Sequence, residues 1–191
     1  MLLLGGASGT GKTRLSYQLA PVLGMNITEV DDFQVVLERM TTPEQQPALH
    51  FWRTHPDPGS LSAEDIQEQG LDILQVMMPA LEAVIENHLE AETPIILDGD
   101  FIHPSLAVRD AFGEQQNGGR VRGIFLYESD EDQVVRNFLE REPATGPQRV
   151  RARVSVLRSE WLRGVCDELM IPAVPARPWA SLLERVLGSL G

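Results

Sequence analysis

Residues Gly6-Ala7-Ser8-Gly9-Thr10-Gly11-Lys12-Thr13 satisfy the pattern G-x-x-x-x-G-K-[ST] in full. The run follows an apolar stretch, Leu2–Leu4, and precedes a helical one containing Arg14, Leu15, Tyr17 and Leu19, which is the strand–loop–helix setting the pattern needs. Glycines let such a loop turn its backbone N–H groups inward around phosphate oxygens, and the N-terminus of the following helix adds its positive dipole end. Lys12 supplies a compact, movable charge for the β- and γ-phosphates, and Thr13 a hydroxyl for Mg²⁺. Lys12 is also the only lysine among 16 basic residues. In a chain that otherwise uses arginine, lysine survives where a broad guanidinium fork would not serve.

Around this loop the chain alternates two kinds of segment. Five short apolar runs, Leu2–Gly5, Ile27–Asp31, Pro94–Asp98, Gly123–Tyr127 and Met170–Val174, read as strands covered on both faces. Between them lie helical stretches near Lys12–Leu23, Asp32–Met40, Ala63–Leu89, Pro104–Phe112, Asp130–Glu142 and Arg149–Glu168, with a last one near Trp179–Leu190. That rhythm predicts an α/β fold with a doubly wound parallel sheet and right-handed crossovers. Ser62 with Asp65, and Ser129 with Asp132, are expected helix caps, and Pro79 is expected to kink or split the long helix near Met78. The length suits one domain spanning 1–191. Two segments interrupt the rhythm: a proline-rich insert over 41–62 carrying Phe51 and Trp52, and an arginine-rich region over 136–158 broken by Pro143, Gly146 and Pro147.

Composition excludes several classes. A net charge of −12 argues against nucleic-acid binding through the overall field. The single cysteine, Cys166, allows no intramolecular disulfide and is expected to be a small buried apolar residue. No apolar run approaches the ~18–20 residues of a membrane span, and Met1 leads straight into the first strand. A cytoplasmic protein, monomeric or homodimeric, with neither membrane nor nucleic-acid partner, is the expectation.

Among phosphate-loop proteins, a Ras-type guanine reader would need a second lysine for N-K-x-D, and the transporter-type LSGGQ signature is absent. Asp98 is followed by Gly99 rather than Glu, unlike the Asp-Glu that closes the third strand of many ATPases. Small-molecule and nucleotide kinases remain. A kinase needs a carboxylate for metal, a group to take the acceptor hydroxyl's proton, and cations over the transferring phosphoryl group. Asp98, ending the third predicted strand, suits the first role with Thr13. Asp31 or Asp32, after the second, suits the other carboxylate role, since ligands of open α/β sheets bind beyond the carboxyl ends of strands; the competing reading of the pair is a cap for the next helix. Arg141 and Arg149, flanking the Pro/Gly break, with Arg136 next, are the expected lid cations among seven arginines between 136 and 163.

The run GGASGTGKT, the V-D-D-F after the second strand and the I-L-D-G closing the third resemble small P-loop kinases, nearest the chloramphenicol phosphotransferase, zeta toxin and 2-phosphoglycerate kinase group. That resemblance implies a three-layer P-loop NTPase fold with a five-stranded parallel sheet of order 2-3-1-4-5 and helices on both faces. It also implies ATP and Mg²⁺ as cofactors, Asp31 rather than Asp32 as base, and a lid near Arg141–Arg153.

The expected activity is transfer of a γ-phosphoryl group to a hydroxyl of a small molecule such as a metabolite, sugar or antibiotic. Asp32, Arg53, Asp100 and His103 are the expected acceptor-binding residues, with His50, His55 and Arg109 as further candidates. Asp98 and Asp100 can serve one polar site if the strand stays extended that far. The competing reading is a nucleotide-binding switch or slow ATPase acting through a protein partner.

Overall fold

The computed structural model describes residues 1–55 and 61–191; Pro56, Pro58 and Gly59 of the insert lie outside them. Five parallel strands form the sheet: β1 (Leu2–Gly6), β2 (Asn26–Glu29), β3 (Ile95–Gly99), β4 (Arg122–Tyr127) and β5 (Ala173–Pro175). Their order is β2-β3-β1-β4-β5, as the family resemblance implies. β1 is central, with Leu4 opposite Asp98 on one side and Ile124 on the other. The loops after β1 and β3 therefore emerge side by side at one edge.

The period-two alternation of a strand sorts the core into two layers. Leu2, Leu4, Ile96, Ile124 and Leu126 pack with Leu15 and Leu19 of α1 (Lys12–Leu23) and with Leu182 and Val186 near the C-terminus. Leu3, Ile95, Leu97 and Phe125 face the other way, onto α4 (Ala63–Glu90) and α6 (Arg149–Leu169). The chain ends in α7 (Leu182–Leu190). Helices thus cover both faces, which is why the strands read as continuous apolar runs. A third, smaller cluster, Val134, Phe138, Ala152 and Val156, joins α5 (Glu131–Arg141) to α6. Cys166 is buried in the main core, where loss of hydration pushes its thiol up to about 12. Among the described residues, no helix is long and apolar enough to cross a membrane.

Several local expectations need correction. The second strand stops at Glu29, because α2 (Val30–Met40) starts early: Asp31 and Asp32 occupy its first turn, where acidic groups complement the helix dipole. Met170 belongs to no strand; it closes α6 in a left-handed conformation with φ 55°. Residues 104–112 are a short 3₁₀ turn, Pro104–Val108, followed by a strand pair, Ala111–Phe112 with Gln115–Gln116. The α5 cap is Asp130, whose side chain accepts from the Gln133 N–H, not Ser129. Pro79 does not split α4, which runs through it on the strength of its buried face, Ile73, Met77, Leu81 and Ile85. Ser62 and Asp65 do form a full capping box.

Candidate active site

The loop between β1 and α1 is shaped by residues that no side-chain-bearing substitute matches. Gly9 and Gly11 have φ of 79° and 90°, a region L-residues enter at a cost. A Cβ on Gly11 would also lie 2.5 Å from the Trp179 ring. The buried Thr10 hydroxyl pins the turn by donating to the Ala7 carbonyl (2.8 Å). Lys12, 6% exposed, donates from Nζ to the same carbonyl (2.9 Å) and to Asp100 Oδ1 (2.5 Å). Its charge is held over the concave side of the loop.

This concave side opens into a cavity of about 720 Å³, within the range of small-ligand sites. Loop residues 8–13, Asp31, Asp98, Asp100, Arg141, Arg151 and Arg177 line it. Asp98 is almost fully buried. Its Oδ2 accepts from Ser16 Oγ (3.0 Å), and its Oδ1 has no partner among the described residues. Loss of hydration raises the Asp98 pKa, against the pull of Lys12 and hydrogen bonds from Ser16 and Thr13. An orphaned carboxylate oxygen beside the Thr13 hydroxyl suits a hydrated divalent cation. Asp31 faces the open cavity; loss of hydration and then the nearby Asp100 charge raise its pKa, which Lys12 partly offsets.

The structure therefore gathers Lys12, Thr13, Asp31, Asp98, Asp100 and Arg141 around one space. Other expected residues fall elsewhere. Asp32, the next position round α2, lines a separate depression with Tyr17 and Asn26, because neighbours on a helix point about 100° apart. Arg136 pairs with Asp130 and Arg149 with Asp132, both pairs solvent-exposed and outside the cavity. Arg53 is an exposed residue of the short helix α3 (Phe51–Thr54). His103 turns away after the strand has ended, its Nδ1 accepting from the Ser105 N–H (3.1 Å); burial lowers its pKa. His50 is buried against Thr41, His55 stacks on Phe51, and Arg109 pairs with Glu82.

Asn137 and Arg177 were not anticipated at the cavity, and Arg151, one of the seven arginines of the expected lid region, stands there in place of the preferred Arg149. Arg151 donates from Nη2 to Ser8 Oγ (3.3 Å) and from Nη1 to Glu142 (3.0 Å). Glu142 also accepts from Gln148 and Arg141, and these bonds hold its carboxyl down at about 2. Asn137 donates to the Gly9 carbonyl (2.8 Å) and accepts from Arg177 Nη2 (2.9 Å), tying the loop to α5 and to the segment after β5. Arg177 follows the fifth strand, so the strand-end rule applied to Asp31 and Asp98 would have found it.

No protein-family model and no curated protein matches the chain. Solved structures do. A gluconokinase from Sinorhizobium meliloti 1021 is 19% identical with a TM-score of 0.57, over 99% of this chain and 90% of that one. A sugar kinase from Janibacter sp. HTCC2649 is 20% identical with a TM-score of 0.55, over 99% and 92%. The chain has the fold of P-loop small-molecule kinases. These likenesses support that fold and not the narrower grouping with chloramphenicol phosphotransferase, zeta toxins and 2-phosphoglycerate kinase.

Proposed function

We propose that the chain is an ATP-dependent kinase that phosphorylates a hydroxyl of a small molecule. The observation that carries this reading is the convergence of the Lys12 loop, the orphaned Asp98 oxygen and the accessible Asp31 carboxylate on one cavity. A bare switch or ATPase has no need of the third.

In this reading the loop amides and Lys12 hold the β- and γ-phosphates, and Thr13 and Asp98 hold Mg²⁺, which when bound neutralises phosphate charge. The acceptor oxygen forms the new bond to the γ-phosphorus as the β–γ bridging bond breaks and ADP leaves. Asp31 takes the proton the acceptor loses, a role for which a raised pKa is an advantage. Lys12 exchanges Asp100 for phosphate when nucleotide enters. Arg141, Arg151 and Arg177 spread the charge of the transferring group. The segment 136–158 serves as a lid hinged beside the Pro143–Thr145 turn, and the described residues of the insert, 41–55 and 61–62, lie on the acceptor side.

A screen of hydroxylated metabolites, sugars and antibiotics for ATP-dependent phosphorylation tests the reading. A kinase gives a phosphorylated product whose formation Asp31→Asn abolishes while ATP still binds. ATP hydrolysis indifferent to every acceptor and to Asp31→Asn would instead establish a switch or slow ATPase.

A further inference from the structure

Beside the main cavity lies a second of about 330 Å³, and the two share Ser8, Asp100 and Arg151. Its other walls are largely apolar: Trp52 of the insert, Ile66 and Ile73 of α4, and Phe101 after β3. Set into these walls are two polar side chains more than nine-tenths buried, Gln67 and Arg158. Arg158 Nε donates to Gln67 Oε1 (2.9 Å), so the amide oxygen is engaged and its NH₂ left over. Gln67 Nε2 and Arg158 Nη1 have no acceptor among the described residues. No carboxylate among them forms an ion pair with Arg158.

A buried guanidinium without a counter-charge is costly to fold around. Burial lowers the Arg158 pKa to about 10, with Asp100 pulling it back up, so the group remains a cation at neutral pH. The fold nonetheless makes room for it. Gly70 sits where a Cβ would be 2.3 Å from Arg158 Nη2, and the guanidinium packs 5.6 Å from the Trp161 ring centre. The charged groups on neighbouring elements are Asp100, already paired with Lys12, and Arg151, already paired with Glu142.

We propose that this second cavity is the acceptor subsite and that Arg158 and Gln67 receive a carboxylate, making the acceptor a small hydroxy-carboxylic acid. The inference rests on the kinase reading for the word acceptor; the anion subsite itself does not. Two orphan donors on one hydrogen-bonded unit match the two oxygens of a planar carboxylate. The apolar walls take the carbon chain, and the cavity's volume, at the small end of ligand sites, suits a compact molecule. The far end of such a molecule reaches the shared wall at Asp100, which places its hydroxyl toward Asp31 and the phosphate loop.

The test uses matched probes: gluconate and glycerate, their neutral alcohols glucitol and glycerol, and glucose 6-phosphate as the phosphate-bearing arm. Each is offered to the purified full chain, with phosphorylation followed by ADP release and binding followed by thermal shift without ATP. Gln67→Glu supplies Arg158 with an internal carboxylate, so it should fold at least as stably as wild type while repelling an anionic ligand. Arg158→Met removes the cation, and Arg158→Lys restores charge without the fork.

The proposal expects at least one acid to raise the melting temperature, at least tenfold preference for it over its neutral counterpart, and loss of that preference in Gln67→Glu and Arg158→Met with partial recovery in Arg158→Lys. Acids that bind by this criterion but are never phosphorylated leave the subsite standing and remove the kinase reading. Neutral alcohols phosphorylated with no dependence on Arg158 do the reverse. Binding of the phosphate-bearing probe alone, or no acid shifting the wild-type melting temperature, overturns the carboxylate assignment.

Discussion

Replacing Asp31 by Asn removes one charge and one proton-accepting site while keeping the side chain's shape. A positioned general base contributes about 10²–10⁴-fold to such a step, equivalent to roughly 2.7–5.5 kcal/mol of barrier at 1.36 kcal/mol per decade. The fold should barely notice. Asp31 is exposed to the cavity and makes its structural contribution through the first turn of α2, where a carboxylate is worth about 0.3–1 kcal/mol. For a chain of this size that is a melting-temperature change of at most about 4 °C. The assay is steady-state phosphorylation with whichever acceptor the screen identifies, beside calorimetric titration of MgATP. We expect kcat to fall at least a hundredfold with ATP affinity within threefold of wild type, and Asp32→Asn to change neither. In the wild type, activity should decline on the acid side with a midpoint above the ordinary 3.8 of an aspartate, since the base must be ionised and its pKa is raised. Asp100→Asn removes the second cause of that rise and should move the limb to lower pH. A kcat for Asp31→Asn within threefold of wild type would refute the assignment.

Three further outcomes follow from particular contacts. Asp98→Asn should raise the Mg²⁺ concentration needed for half-maximal activity at least tenfold. It should also stabilise the fold at neutral pH: the native state binds the Asp98 proton more tightly than the unfolded chain does, so ionisation penalises folding above the raised pKa and not below the ordinary 3.8. Thermal melts of variant and wild type should therefore converge as pH falls through that window. Arg151→Ala should lower kcat/KM for ATP at least tenfold, whereas Arg149→Ala and Arg136→Ala, which lose only exposed pairs, should stay within twofold by the same assay. Ser62→Ala removes one half of the α4 capping box and should cost about 1 kcal/mol in urea unfolding, with nucleotide binding unchanged.

Much of this arrangement was legible in the residues because it rests on local rules. The phosphate loop is a contiguous pattern whose glycines must take positive φ, so eight residues and their flanks sufficed. The sheet was legible because strands covered on both faces are short unbroken apolar runs; the fifth was misplaced because Met170 and Ile171 look like strand residues although Met170 is a helix cap. Asp98 and Asp100 came together as the period of a strand end requires. Helical phase was the harder matter. Nothing local says which of Arg149, Arg151 and Arg153 faces the loop, and it is Phe138, packing under the Arg151 guanidinium at 4.3 Å, that selects it. Arg158 and Gln67 lie 91 residues apart and meet only because α4 and α6 pack on the same face of the sheet. No spacing rule reaches that far.

Kinase chemistry here depends first on whether the loop from Gly6 grips a nucleoside triphosphate through Lys12. Isothermal titration of ATP into the protein, with and without Mg²⁺, beside Lys12→Met, measures this directly. The expected result is one metal-enhanced site per chain, weakened at least tenfold by the substitution; equal heats for both proteins, or none at millimolar nucleotide, would contradict a Lys12 grip on the triphosphate.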